Sequence, residues 1–280
     1  MRKYILKCLI CFLLISGSAG CGQEPFPKTK LEPVRKFSLG TAKFTPFKKR
    51  PTAKELYKTT LRLYDSFDTI AATAECNSQQ VNEWSEVDGK AEDIKIEKSR
   101  FMNELRAVEP DKMLSIVIDD EAWVSVENGK TSLWYFPTKH SYLMGKIVYR
   151  QHRHAAVWAG LLPPMGKSEI AFSSMKLLPD QKINGTDVYV LELRIPSFKD
   201  RYGFSIPETR KIYLGKNDLL PRKTMSIEKR PSEETALGLP NNIDTSVFLG
   251  FEVNSKLPKG LFPTHPPKGA RPFSEAKTTN

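Results

Sequence analysis

The chain has 280 residues, of which 40% are hydrophobic, and it carries a net charge of +11 with a pI near 9.4. The charge is uneven, because residues 21–51 carry a net +6 and three cations lie in residues 1–20, which leaves about +2 for the remainder. A nucleic-acid-binding domain carries a basic stripe on its folded surface, so this distribution excludes nucleic acid as the partner.

Residues 1–20 have the three parts of a secretory signal. They begin with three cations, residues 5–15 are apolar apart from Lys7, and five small residues follow. The apolar stretch is too short to cross a hydrocarbon core of ~30 Å, which takes ~20 residues as a helix. The sequence therefore predicts a signal peptide that is removed after export.

The end of this signal, Ser18-Ala19-Gly20-Cys21, resembles the bacterial lipobox, although Ser18 stands where leucine is commonest. The resemblance implies cleavage before Cys21 and acylation of its thiol and amino groups, which would anchor the protein firmly in a membrane. The alternative is an ordinary signal peptide cut near Ala19 or Gly20, with Cys21 incidental. Gly22 replaces the aspartate that retains lipoproteins at the inner membrane, so we expect a periplasm-facing location with the outer membrane favoured.

The cysteine count fits an exported domain without an intramolecular disulfide. Cys8 and Cys11 lie in the signal and Cys21 is the lipidation candidate, which leaves only Cys76. We predict that Cys76 is a small buried hydrophobe.

Residues 21–51 are basic and repeatedly interrupted by proline. They contain eight cations, two carboxylates and five prolines, and they lack helical or strand periodicity. Proline-rich segments are semi-extended, so we predict a tether between the anchor and the domain. Two roles remain open for its cations: contact with an anionic membrane surface, or keeping a soluble spacer from collapsing.

The folded domain is predicted to begin with a helix. Thr52-Ala53-Lys54-Glu55 has the pattern of a capping box, and the apolar spacing that follows predicts a helix that ends near Ser66. Beyond it the apolar period becomes two, which indicates strands. Asn128-Gly129 predicts a tight hairpin. We expect these sets each to share one face: Leu114, Ile116 and Ile118; Tyr189, Leu191, Leu193 and Ile195; Val247, Leu249, Phe251 and Val253.

Between His152 and Leu178 the apolar period becomes helical again. Two apolar clusters flank Pro163-Pro164: Trp158, Leu161 and Leu162 before it, and Ile170, Phe172, Met175 and Leu178 after it. We predict two helical segments here. The whole pattern predicts one α+β domain over residues 52–272, with about ten antiparallel strands, followed by a disordered tail at 273–280.

Five stretches of turn residues and aromatics follow one another along this domain. They are Arg106 to Lys112, Asn128 to Pro137 with Tyr142 beyond, Ile183 to Leu191, Leu220 to Lys223, and Asn254 to Ala270. Together they resemble the LolA/LolB-like superfamily of periplasmic lipoprotein carriers, although Val108-Glu109 is an insertion relative to its pattern.

That resemblance implies a curled antiparallel sheet that forms an incomplete barrel, with helices across its open side as a lid. The implied function is a membrane-anchored envelope lipoprotein whose concave face binds an acyl chain or another apolar ligand, in lipid or lipoprotein transport. The alternative is a sensor, regulator or scaffold that binds envelope proteins with the same fold. The candidate ligand-binding residues are Met113, Trp123, Trp134, Tyr142, Trp158, Leu161, Leu162, Phe172 and Met175. The competing interpretation is that these side chains fill an ordinary dry core.

The sequence lacks the motifs that carry common chemistries. It has no Gly-x-Ser-x-Gly, no His-Glu-x-x-His and no phosphate-binding glycine loop. His152 and His154 have no carboxylate or cysteine at metal-ligand spacing, and Asp119-Asp120-Glu121 is interpreted as solvating a hairpin. We therefore expect no catalysis, no metal and no cofactor.

Overall fold

The structure is a computed structural model, and it describes residues 31–84, 93–109, 111–118, 122–147, 154–161, 174–199, 205–228 and 242–273. The helices described are α1 (Ala53–Asp65) and α2 (His154–Trp158), and a short 3-10 turn lies at Pro137–Lys139. The strands are β1 (Phe37–Ser38), β2 (Thr69–Trp84), β3 (Asp93–Val108), β4 (Lys112–Ile118), β5 (Trp123–Asn128), β6 (Thr131–Phe136), β7 (Ser141–Lys146), β8 (Ser174–Ile183), β9 (Thr186–Lys199), β10 (Ser205–Gly215), β11 (Pro221–Glu228), β12 (Asn242–Val253) and β13 (Arg271–Pro272).

One sheet contains all these strands in the order β13-β7-β6-β5-β4-β3-β2-β12-β11-β10-β9-β8, with β1 beside β12. The two-residue strands form the parallel pairs, β1 with β12 and β13 with β7. Every other pair of neighbouring strands is antiparallel. Because β13 and β8 end the order, the sheet is open. This arrangement confirms the predicted α+β class and incomplete barrel, with thirteen strands instead of about ten.

Helix α1 begins and ends where the sequence predicts. The Thr52 hydroxyl accepts from the Glu55 amide at 3.3 Å, and the Glu55 carboxylate accepts from the Thr52 amide at 2.8 Å, which is the reciprocal capping box. Ser66 caps the other end. None of the helices in the described part of the chain is long and apolar enough to cross a membrane.

The two faces of the sheet are covered by different parts of the chain. We call the face against which α1 and α2 pack the concave face, and the other the convex face. The largest apolar cluster lies on the concave face beneath both helices. A second cluster lies on the convex face, where the predicted set of Leu114, Ile116 and Ile118 packs against residues of both chain ends, including Leu31 and Leu261.

Residues 31–51 differ from the predicted tether. The Phe251 amide donates to Lys36 O at 2.8 Å, which pairs β1 with β12, and the Val34 amide donates to the Thr73 hydroxyl at 2.8 Å. Phe47 contacts the ring of Tyr189 at 6.0 Å between centroids. The apolar side chains that lie between the cations of this segment pack on the sheet. The high content of cations and prolines gave no indication of this packing. Of the predicted tether, only residues 21–30 lie outside the described residues.

Two further predictions fail because strand pairing overrides the local pattern. Met175 and Leu178, at helical spacing, both lie in strand β8, where Met175 pairs with Leu193 of β9. Ile170 and Phe172 lie outside the described residues. In β12 a bulge at Leu249 shifts the register, so Phe251 lies on the concave face and Val247 does not.

A close approach of two backbones explains the glycine beside this bulge. A Cβ on Gly250 would lie 2.5 Å from the carbonyl carbon of Val34, because residues 34–38 run directly along β12. The bulge therefore fits the N-terminal segment to the sheet.

Candidate functional site

The short helix α2 is fastened over the concave face by Glu109. The Glu109 carboxylate accepts from the amides of His154 at 3.0 Å and Ala155 at 2.8 Å. These amides open the helix and have no partner within it, and a negative charge suits this end of the helix dipole. Glu109 belongs to the Val108-Glu109 insertion in the stretch from Arg106 to Lys112. The inserted residue therefore has a structural role, which is to hold the start of α2.

Beneath α1 and α2 the concave face is a filled core. The rings of Tyr64 and Phe67 lie 4.8 Å apart, and the ring of Phe251 lies 5.7 Å from Phe248 and 6.4 Å from Tyr64. Leu161 belongs to this core, with no exposed surface. Here the structure supports the dry-core interpretation.

An aromatic pair marks the concave face on the far side of β2. Trp123 and Trp134 stack with ring centroids 4.7 Å apart and an interplanar angle of 22°, and both are partly exposed. Their strands place them over Ser115 and Ser125, which are buried, and the Ser115 hydroxyl donates to the Asn103 amide oxygen at 2.9 Å. Leu143, paired opposite Trp134, is 44% exposed. We call Trp123, Trp134 and Leu143 the aromatic wall.

Small side chains separate the aromatic wall from α2. On β2 the concave positions are Ala72, Ala74 and Cys76, followed on β3 by Asn103 and Leu105 in register. On the other side Trp158 of α2 meets the ring of Phe248 at 6.1 Å. These side chains of β2, with Leu105, are buried and belong to the same apolar cluster as the rings under α1. The apolar surface that stays exposed on this face is therefore that of the aromatic wall.

A polar pair closes one end of this face. The Glu208 carboxylate accepts from the Arg210 guanidinium and, at 2.7 Å, from the Ser226 hydroxyl. Both charged side chains are buried, with 7% and 11% of their surface exposed. Arg210 of β10 lies opposite Leu193 of β9, which in turn lies opposite Met175 of β8. The charged pair therefore lies next to apolar side chains of the same face.

The structure places the predicted ligand-binding residues as follows. Met113, Trp123, Trp134 and Met175 lie on the concave face, and Trp158 approaches it from α2. Tyr142 pairs with Tyr135 and lies on the convex face, apart from the others. Leu161 is in the core. Leu162, Phe172 and the lipidation candidate Cys21 lie outside the described residues.

Sequence reasoning missed Phe101, Leu143 and the Glu208–Arg210 pair. Phe101 is partly buried against the concave core and pairs with Cys76. Its signal was the alternation of Phe101, Asn103, Leu105 and Ala107, which continues β3 beyond Lys98. The polar pair has no sequence signal of its own, because Glu208 meets Ser226 only through the register of β10 and β11.

Over the residues that the structure describes, no group of three or more His, Cys, Asp or Glu side chains is placed to hold a metal ion.

Burial raises the pKa of the Cys76 thiol to about 11, from an ordinary value of 9.0, while the hydrogen bond to the Ser246 hydroxyl at 3.3 Å opposes that rise. The folded protein therefore keeps this proton over a range in which the unfolded chain loses it, so stability is full below pH 9.0 and falls as pH rises towards about 11. We expect Cys76→Ala to make this fall shallower in urea unfolding curves recorded across that range. A residual slope remains, because burial also raises the pKa values of Tyr57 and Tyr64. An unchanged slope would contradict the assignment.

Removing the charge of Glu109 should release α2. Glu109→Gln replaces the carboxylate by a neutral amide, so neither hydrogen bond to α2 is charge-assisted any longer. We expect amide exchange in residues 154–158 to become roughly tenfold faster, which corresponds to ~1.4 kcal/mol. Hydrogen-exchange mass spectrometry measures this locally. Asp111→Asn, at an exposed carboxylate two residues away, is the matched control and should leave the exchange unchanged. Equal exchange in both variants would show that Glu109 does not hold the helix.

The chain is similar to several solved structures at low sequence identity. No protein-family model matches the chain, and no curated protein matches it. Similar solved structures include an uncharacterized conserved protein from Thermus thermophilus, with 11% identity, a TM-score of 0.44, and coverage of 79% of this chain and 98% of that one. A putative outer membrane lipoprotein-sorting protein domain from Vibrio parahaemolyticus has 13% identity, a TM-score of 0.29 and coverage of 73% and 93%.

The lipoprotein LppX of Mycobacterium tuberculosis has 9% identity, a TM-score of 0.37 and coverage of 70% of this chain and 93% of that one. The three structures each cover between 70% and 79% of this chain.

Proposed function

We propose that this chain is a lipid-anchored envelope protein that binds an acyl chain or another apolar ligand on its concave face, without catalysis. The observation that carries the proposal is the aromatic wall, in which the partly exposed Trp123–Trp134 stack lies beside Leu143, whose surface is 44% exposed. An acyl chain laid against the aromatic wall would cover apolar surface, and each methylene removed from water contributes ~0.8 kcal/mol.

The same face suits a ligand with one polar end. The charged Glu208–Arg210 pair lies on the same face of the sheet, beside the apolar Leu193 and Met175. Helix α2 is the element that would move to admit the ligand. It has five residues and is fastened by the two hydrogen bonds to Glu109.

The anchor in this proposal is an acylated Cys21, supported by the resemblance of residues 18–21 to the lipobox. We propose a periplasm-facing location, with the outer membrane favoured by Gly22. The signal would occupy residues 1–20, and the tether shortens to residues 21–30, because residues 31–51 pack on the domain.

Native mass spectrometry tests the ligand directly. The Cys21→Ser chain is exported behind a cleavable signal that is not of the lipoprotein type, so that it is not acylated, and is purified gently from the periplasm. We expect a co-purifying mass in the lipid range that organic extraction removes. Intact mass of the wild-type chain from membranes tests the anchor separately, by the mass of acyl groups on Cys21.

Substitution then locates the binding site. Trp134→Ala should weaken binding of a fluorescent fatty acid roughly tenfold, since a buried aromatic contact adds about 1.5 kcal/mol. Tyr142→Ala, on the convex face, is the matched control and should leave the affinity unchanged. A chain that carries no lipid and binds no fatty acid would refute the carrier function. It would leave the alternative of an envelope protein partner, which cross-linking in cells would capture.

A further inference from the structure

A basic concavity of about 720 Å³ lies beside α1. Five cations line it: Lys48, Lys49 and Arg50 from the segment before α1, and Lys58 and Arg62 from α1 itself. The sequence places the first three in the tether and the other two in the domain. Only the docking of residues 31–51 brings them together.

The one carboxylate in this concavity is already engaged. Glu55 accepts from the Thr52 amide and hydroxyl, both at 2.8 Å, as the capping box of α1. Arg50 is fixed at the rim, where its guanidinium donates to Leu178 O at 2.6 Å and pairs with Asp180 at 3.2 Å. The four other cations are exposed, and none makes an ion pair with a carboxylate in the described part of the chain.

Like charges that line one concavity repel one another and focus a positive potential outside the protein. An anion relieves that repulsion. Lysine ammonium groups and arginine guanidinium groups are the usual protein ligands of phosphate oxygens. The arrangement therefore fits phosphate groups presented from outside the domain.

We propose that this basic concavity docks the domain on an anionic bilayer by contacting the phosphates of lipid headgroups. The choice of a bilayer rests on the proposed anchor. Residues 21–30 span at most ~33 Å at ~3.3 Å per residue, so an acylated Cys21 would keep the start of the docked segment, which leads to Lys48, Lys49 and Arg50, within that distance of the membrane. Phe47, partly buried among these cations, adds the aromatic contact that interfacial surfaces commonly use.

Docking here fixes the orientation of the domain. Because α1 packs across the concave face, the contact places that side of the sheet towards the lipids. The ligand-binding face would then open near the bilayer that supplies or receives an apolar ligand.

Vesicle co-sedimentation tests the docking without the anchor. The probe is the chain without residues 1–20 and with Cys21→Ser, mixed with vesicles of equal parts phosphatidylcholine and phosphatidylglycerol. We expect binding to these vesicles and none to pure phosphatidylcholine. Lys58→Gln with Arg62→Gln should weaken it roughly 25-fold, since each cation near the surface contributes about 1 kcal/mol, or about fivefold.

The matched control is Lys256→Gln with Lys259→Gln, which removes the same charge from exposed positions in the C-terminal segment. Binding that is unchanged in this control supports a defined site. Equal weakening in both variants would show a nonspecific charge effect, and no binding to the anionic vesicles would favour an acidic protein partner. Competition by inorganic phosphate at constant ionic strength would indicate a site for a small free anion. Each of these three results overturns the bilayer contact, while the acyl mass on Cys21 and the lipid mass in the purified protein test the proposed function independently.

Discussion

Replacing Phe251 by alanine should lower the free energy of unfolding by about 4 kcal/mol, as large-to-small changes at fully buried aromatic positions do. Phe251 has no exposed surface, and its ring meets those of Tyr64 and Phe248 at 6.4 and 5.7 Å. It therefore links α1 to the central strand pair. The surrounding rings are held by strand and helix backbones, so the cavity that alanine leaves cannot close fully.

Urea unfolding followed by circular dichroism measures this loss. The control is Met144→Ala, at a side chain that is 47% exposed on β7, which should change the stability by less than about 0.5 kcal/mol. If Phe251→Ala were as mild as Met144→Ala, the concave face under α1 would be an adaptable cavity. The packed core described here would then be wrong.

The second large effect is expected at Arg222, in the stretch from Leu220 to Lys223. Its guanidinium pairs with the Asp218 carboxylate at 2.6 Å, donates to Leu220 O at 3.0 Å, and lies 3.7 Å from the ring centroid of Phe37. Arg222→Met keeps an unbranched apolar stem but removes the guanidinium, which leaves the mostly buried Asp218 carboxylate without its ion-pair partner. We expect a loss of about 3 kcal/mol.

A double-mutant cycle separates the ion pair from the packing. Asp218→Asn should remove much of the penalty in the Arg222→Met background, so the double variant loses less stability than the two single losses added together. Strict additivity would show that the pair contributes nothing. Faster amide exchange at Phe37 in the Arg222 variant would separately report the lost contact between the guanidinium and the ring.

Local signals were sufficient for the elements that depend on neighbours in sequence. The capping box at Thr52, the hairpin at Asn128-Gly129 and the shared face of Tyr189 to Ile195 are all present in the structure. In each case the residues that decide the conformation lie within a few positions of one another. The open curled sheet followed from the motifs read together.

Features set by distant partners could not be predicted in this way. Tyr142 lies on the opposite face from Trp134 because of the register set by the 3-10 turn between β6 and β7. Residues 31–51 were predicted to be a tether because the strands on which they pack, β9 and β12, come roughly 140 to 215 positions later in the chain. The basic concavity has the same origin, since Arg50 is fixed by Leu178 and Asp180.

The pairing of β2 with β12 also sets the order in which the chain can fold. Strands β2 to β7 form one meander and β8 to β12 another, and this single antiparallel pair joins them, with Ile70 opposite Val253. For a chain that emerges N-terminus first, one edge of β2 stays open while roughly 170 residues follow, which takes roughly 10–30 s at ordinary rates of synthesis. The convex cluster closes later still, because it needs Leu261. Because these contacts join residues far apart in sequence, folding is delayed until nearly the whole chain is available. The open edge of β2 is the surface that a chaperone would need to protect during that time.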